Sequence, residues 1–180
     1  MSENTIPIYT KPYTAPSWLP GGNMQTLYPY FYKPAQLFKY RRERWELDDG
    51  DFVDVDWVDG SAHSPLIVFF HGLEGGSCSH YILSITNRLK HYNWRSAVIH
   101  FRGCSGKPNR LSRAYHAGDS AEIDWMLQRI TSQTQATSAT QPVYVIGVSL
   151  GGNALLKWLG EKGEQAKKLV AGVATISVPL

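Results

Sequence analysis

The sequence predicts an α/β fold, a mostly parallel twisted sheet with helices on both faces. Three observations carry that prediction. From residue 65 to the end, short continuous apolar runs alternate with amphipathic helical stretches, the pattern of successive βαβ units. Ahead of them lies a run of alternating apolar and acidic residues preceded by an Asp-Gly turn, which marks an antiparallel hairpin. Finally, one apolar run meets its following helix through a Gly-x-Ser-x-Gly turn, a join that strand-to-helix geometry makes sharp.

Residues 1–36 hold six of the ten prolines (Pro7, Pro12, Pro16, Pro20, Pro29 and Pro34) together with many aromatics. Proline fixes φ and removes a donor, which excludes a long helix or a central strand. Disordered segments are poor in aromatics, so this stretch is expected to be an extended arm pinned by Trp18, Leu19, Leu27, Tyr28, Phe31 and Tyr32. Residues 37–180 form the remaining, incomplete α/β domain. The hairpin comes first, with Arg44–Leu47 and Phe52–Val58 joined by Asp48-Asp49-Gly50-Asp51; its second strand reads as half-exposed, acids outward. Leu66–Phe70 is a strand covered on both faces, and Ser77–Tyr92 is a helix with Tyr81, Ile82, Ile85 and Leu89 on one side. Ser96–Phe101 is the next strand. Ala121–Ile130 is a helix whose Ile123, Met126, Leu127 and Ile130 fall at i, i+3, i+4 and i+7. Thr131–Gln141, rich in Ser, Thr, Gln and Ala, is expected to be a surface loop. A strand at Val143–Ile146, a helix at Leu150–Leu159 and a β-like run at Leu169–Val178 complete the series.

Composition narrows the function classes. The chain has 180 residues and 43% apolar side chains, enough for a single substantial core. A net charge of +3 is small and scattered, and no basic stripe interleaves with aromatics as a nucleic-acid groove requires. Two cysteines, Cys78 and Cys104, support neither a disulfide framework nor a cysteine-rich metal site. Met1–Thr10 lacks the pattern of a secretory leader, and no apolar run reaches the ~18 residues of a transmembrane span. The expectation is a cytoplasmic protein with reduced thiols, no metal and no cofactor.

The chemistry sits at Gly147-Val148-Ser149-Leu150-Gly151. Glycines on either side of the serine allow close backbone approach, and the turn projects Oγ at the positive end of a helix, where a developing anion is favoured. An acyl-transfer nucleophile also needs oxyanion donors. One is the backbone N–H of Leu150, the residue after the serine. The other comes from the loop after an earlier strand, here His71-Gly72-Leu73-Glu74-Gly75-Gly76 with the Leu73 N–H as donor. His71 and Gly72 support that loop, and Gly147 and Gly151 support the turn.

Five blocks in order resemble the α/β-hydrolase superfamily, in the branch of bacterial YheT-like hydrolases and their eukaryotic lipase relatives. They are Pro16–Thr26, His71–Ser77, Phe101–Gly106, Tyr115–Asp119 and Gly147–Asn153. The resemblance implies hydrolysis of carboxylic esters or lipids through a Ser–His–Asp triad without a metal. One departure stands out. The triad of this fold runs Ser, then acid, then His, yet His63, His71, His80, His91, His100 and His116 all precede Ser149. After Ser149 the only acids are Glu161 and Glu164. The chain is therefore expected to be the N-terminal part of a longer hydrolase, truncated before the last strands and inactive alone. An acyltransferase shares the same acyl-enzyme, and a non-catalytic binding module would keep the turn as architecture only. His116 and Asp119 read as a loop residue and a helix-start residue, and Cys104 has no base partner.

Overall fold

The computed structural model describes residues 12–137 and 141–179. The chain forms two compact units, one ending at Lys33 and the other beginning at Pro34. In the first, Gly22–Phe31 is a helix, α1, where the proline content predicts only extended chain. Its sequence tolerates this because Pro16 and Pro20 lie before the helix, and Pro29 sits near its end, so its missing N–H and its clash with the preceding turn disturb only the last turn. Trp18 meets Tyr28 edge-on at 5.0 Å and Tyr28 stacks on Tyr32 at 4.7 Å, so these aromatics pack on one another locally.

The second unit is a six-stranded sheet. Strands β1 (Arg41–Glu46), β2 (Phe52–Val58), β3 (Leu66–Phe70), β4 (Arg95–Ile99), β5 (Val143–Val148) and β6 (Gly172–Ile176) lie in the order β1-β2-β4-β3-β5-β6. The β1–β2 and β2–β4 pairs are antiparallel, and β4, β3, β5 and β6 run parallel. Helices α2 (His80–His91), α3 (Ser120–Thr137) and α4 (Leu150–Lys162) connect the parallel strands, with a 3-10 segment at Gly163–Lys168 before β6. The larger core lies on one face, where Val68, Phe70, Ile99 and Val145 meet Ile123, Met126, Leu127, Leu155 and Trp158. On the other face Ile67, Phe69 and Val98 pack on Ile82, with Ile85 and Leu89 beside it. Continuous apolar strands are the direct result, because each residue of β3 is buried whichever way it points.

Two further sequence expectations are corrected. Strand β2 is not half-exposed: Asp54 and Asp56 are both buried. In the hairpin Arg42 lies opposite Asp56 and Arg44 opposite Asp54, and each guanidinium grips its carboxylate with two hydrogen bonds of 2.7–3.0 Å. Pairing across the strands removes the reason for those acids to face water. The segment from Thr131 is not a loop either, since α3 runs through it to Thr137. Thr131 and Thr134 are buried and continue the stripe of Ile123, Leu127 and Ile130. Ser132 Oγ and Thr134 Oγ1 donate to the carbonyls four residues back, and Thr131 Oγ1 donates to the Leu169 carbonyl, so these hydroxyls are satisfied without breaking the helix. Residues 138–140 of that stretch lie outside the described residues.

Candidate active site

The register of the sheet brings the two predicted loops together. Strands β3 and β5 are parallel neighbours with Phe70 opposite Gly147, so the loop leaving β3 and the turn leaving β5 emerge side by side. Two residues beyond that pair, a Cβ added at Gly72 would lie 3.2 Å from the Cβ of Ser149. The carboxyl ends of parallel strands are where α/β sheets place ligands.

Ser149 occupies the single position between β5 and α4, with φ 50° and ψ −119°. A non-glycine residue there costs on the order of 1–3 kcal/mol and persists only because its surroundings hold it. They do so at several points. The Ser149 amide donates to the Ile176 carbonyl of β6 at 2.9 Å, and the Ser149 carbonyl accepts from Asn153 N–H at 3.0 Å. Gly147 is required because its Cβ would fall 2.7 Å from Gly152 Cα, and Gly151 because its own would fall 2.5 Å from the His71 carbonyl oxygen. Strand, turn and helix thus cross at backbone contact. The Ser149 hydroxyl makes no hydrogen bond among the described residues, leaving it half-buried and available.

Leu150 opens α4, where the first backbone amides have no acceptor within the helix. Across the gap, the amides of the β3 loop are nearly all occupied. Gly72 N–H donates to the Tyr81 hydroxyl at 3.0 Å and Glu74 N–H to the Tyr115 hydroxyl at 2.7 Å. Gly75 N–H donates to the Gly72 carbonyl and Gly76 N–H to Ser79 Oγ. Between Gly72 and Gly76, the Leu73 N–H is the one amide without a partner among the described residues, and its side chain is exposed.

His71 lies beneath the loop, fully buried. Its Nδ1 is 2.7 Å from the Gly72 carbonyl oxygen and its Nε2 accepts Phe101 N–H at 3.0 Å. That pattern fixes the neutral tautomer carrying hydrogen on Nδ1. Burial pulls its pKa down to about 4, against the Gly72 carbonyl, which favours the proton. A ring with both nitrogens engaged by backbone fixes a loop and does not relay protons. His100 is also buried, with Nδ1 3.2 Å from the Cys104 carbonyl and Nε2 2.9 Å from Asp56. Burial alone would raise the Asp56 carboxyl, but bonds from Arg42, His100 and Ser77 outweigh it and hold the group well below the usual carboxylate range. His116 is exposed, with Nδ1 against the Ala117 carbonyl and Nε2 3.6 Å from Asp119. Asp119 is held by Arg113 and precedes α3. Glu161 pairs with Lys157 on the outer face of α4 at 3.3 Å. Cys104 is a free thiol whose pKa is pushed up by burial.

The tyrosines are the participants that sequence reasoning missed. Tyr81 reads there as part of an apolar helix face, and Tyr115 lies 41 residues from the amide it accepts; no local pattern announces either bond. Among the described residues there is no group of three or more His, Cys, Asp or Glu side chains arranged to hold a metal, and no helix is long and apolar enough to cross a membrane.

Comparison with known proteins agrees with this architecture. Residues 65–179 match the family model described as alpha/beta hydrolase fold. YheT of Escherichia coli (strain K12) is 38% identical over 144 residues, covering 78% of this chain and 41% of YheT. Phospholipase ABHD3 of Homo sapiens is 28% identical over 98% of this chain and 44% of its own length. Among solved structures, esterase Est22 superposes with a TM-score of 0.62 at 16% identity, over 79% of this chain and 45% of Est22. The Pyrococcus furiosus esterase Pf2001 gives 0.57 at 18% identity, over 76% and 51%. The chain therefore spans less than half the length of these two curated relatives. By its sheet order, its family match and its structural neighbours, the chain belongs to the α/β-hydrolase fold family.

Proposed function

We propose that this chain carries the nucleophile and oxyanion half of a serine carboxylic-ester hydrolase of esterase or lipase type. The observation that carries the reading is Ser149 at φ 50° with an unengaged hydroxyl, beside a loop whose Leu73 amide is left without a partner. Ser149 Oγ attacks the ester carbonyl and its proton passes to a base. The carbonyl oxygen becomes an oxyanion that accepts from the Leu73 and Leu150 N–H groups. Each such donor contributes ~10²–10³ in rate. Collapse expels the alcohol, which takes up the proton, and water then releases the acid from the acyl-enzyme by the same route.

No histidine follows Ser149 in the sequence, and in this reading the base and its orienting acid are not supplied by these 180 residues. His71 and His100 have both ring nitrogens engaged, and Glu161 faces its own helix neighbour. Residues 37–180 are the catalytic domain's share of the chain, with 1–36 as its arm. The substrate is an ester of a small molecule or a lipid. Support for that class comes from the similar proteins, Est22 being an esterase and ABHD3 a phospholipase.

A fluorophosphonate probe tests the assignment on the intact hydrolase. Covalent labelling at Ser149, lost in Ser149→Ala, is the expected result. Equal labelling of both proteins removes Ser149 from the mechanism.

A further inference from the structure

We propose that Tyr81 and Tyr115 are positioning residues for the oxyanion site, a refinement that rests on the function proposed above. Each phenolic oxygen accepts the amide on one side of Leu73. Tyr81, on α2, takes Gly72 N–H at 3.0 Å, and Tyr115, in the segment between β4 and α3, takes Glu74 N–H at 2.7 Å. Two flanking amides are thus turned into the protein, and the amide between them is left to face the substrate.

The arrangement is held from both ends. Glu74 sits at φ 50°, a left-handed conformation uncommon for a residue other than glycine, and the Tyr115 hydroxyl holds its amide there. Tyr115 is itself fixed by stacking on Phe101, with ring centroids 5.2 Å apart and planes within 6°. Phe101 meets His71 edge-on at 4.9 Å, and His71 engages the Gly72 carbonyl. The Tyr81 hydroxyl lies so close under the loop that a Cβ at Gly75 would fall 2.7 Å from it. These contacts give physical content to two sequence blocks that the proposed chemistry leaves unused, Phe101–Gly106 and Tyr115–Asp119.

A positioning role acts on the transition state and spares ground-state binding. In the intact hydrolase, Tyr115→Phe and Tyr81→Phe should each lower kcat about tenfold, less than deleting a donor outright, with KM within about twofold of wild type. Affinity for a trifluoromethyl ketone, whose adduct with the serine carries an oxyanion, should fall by the same factor as kcat. Ser149→Ala serves as the control. If it keeps full turnover, the underlying function is wrong. If it is inactive while both tyrosine variants keep wild-type kcat and inhibitor affinity, only the present inference falls. Amide exchange of the wild-type protein gives a reading that needs no variant. The Leu73 amide should exchange fast and those of Gly72 and Glu74 slowly; equal protection of all three overturns the proposal.

Discussion

The carbonyl oxygen of His71 lies 2.5 Å from the point at which a side chain on Gly151 would begin. The helix that follows the candidate nucleophile therefore touches the backbone at the end of β3, and no atom fits between them. The Phe70 carbonyl oxygen lies 2.6 Å from the same point.

Gly151→Ala should accordingly push α4 away from β3 and carry Ser149 with it. Overpacking of this kind costs about 1–3 kcal/mol. A lowered thermal midpoint together with lost fluorophosphonate labelling is the expected pair of results. Gly160→Ala, where an added Cβ meets nothing within 4 Å, is the matched control on the same helix and should be neutral or mildly stabilising.

Acid should weaken the fold through His71. Its pKa is drawn down to about 4 by burial, whereas the unfolded chain takes up that proton near 6.5. Between those values the unfolded state binds more protons, so stability rises with pH across the window. It is complete above about pH 6.5 and declines as the solution is acidified towards pH 4, by about 3 kcal/mol. Urea titrations at pH 7 and pH 4.5 measure the slope, and His71→Gln should flatten it.

Asp56→Ala should be among the most damaging single changes. It removes the shared acceptor of Arg42, Ser77 and His100 at once, and His100 and Ser77 are buried. The half-exposed Arg42 can turn to water, but leaving the buried His100 and Ser77 without their acceptor costs about 1–3 kcal/mol for each group. Chemical denaturation of the variant checks the figure, and a loss under 1 kcal/mol would show that the network is solvated.

Ser132→Pro distinguishes helix from loop at the end of α3. Within a helix the substitution costs about 3 kcal/mol, whereas an irregular surface segment would accept it within about 0.5 kcal/mol. Thermal unfolding decides between them.

Much of the architecture was legible because apolar runs and glycines carry their geometry with them. Leu66–Phe70 can be little else than a covered strand, and Gly147-Val148-Ser149-Leu150-Gly151 names a tight strand-to-helix join whose neighbours supply the context. The helical tail at Thr131–Thr137 was hidden by composition, since Ser, Thr and Gln are as common in loops. Its only local clue is the spacing of Thr131 and Thr134 behind Ile123, Leu127 and Ile130. The burial of Asp54 and Asp56 was illegible for a different reason. Alternating acids ordinarily face water, and only the pairing with β1 shows that arginines cover them. The amides taken by Tyr81 and Tyr115 depend on chain segments brought together by the fold, so no sequence window contains both partners of the second bond.

The two arginine–aspartate pairs of the hairpin have a further effect on how this molecule is assembled. Sliding β1 by one position along β2, in either direction, would break both arginine–aspartate pairs and bring Glu43 opposite Asp54 or Asp56, acid against acid. A one-residue slip is therefore penalised twice over, which favours the observed register. The hairpin, whose contacts are local in sequence, thereby offers β4 an edge of fixed alignment.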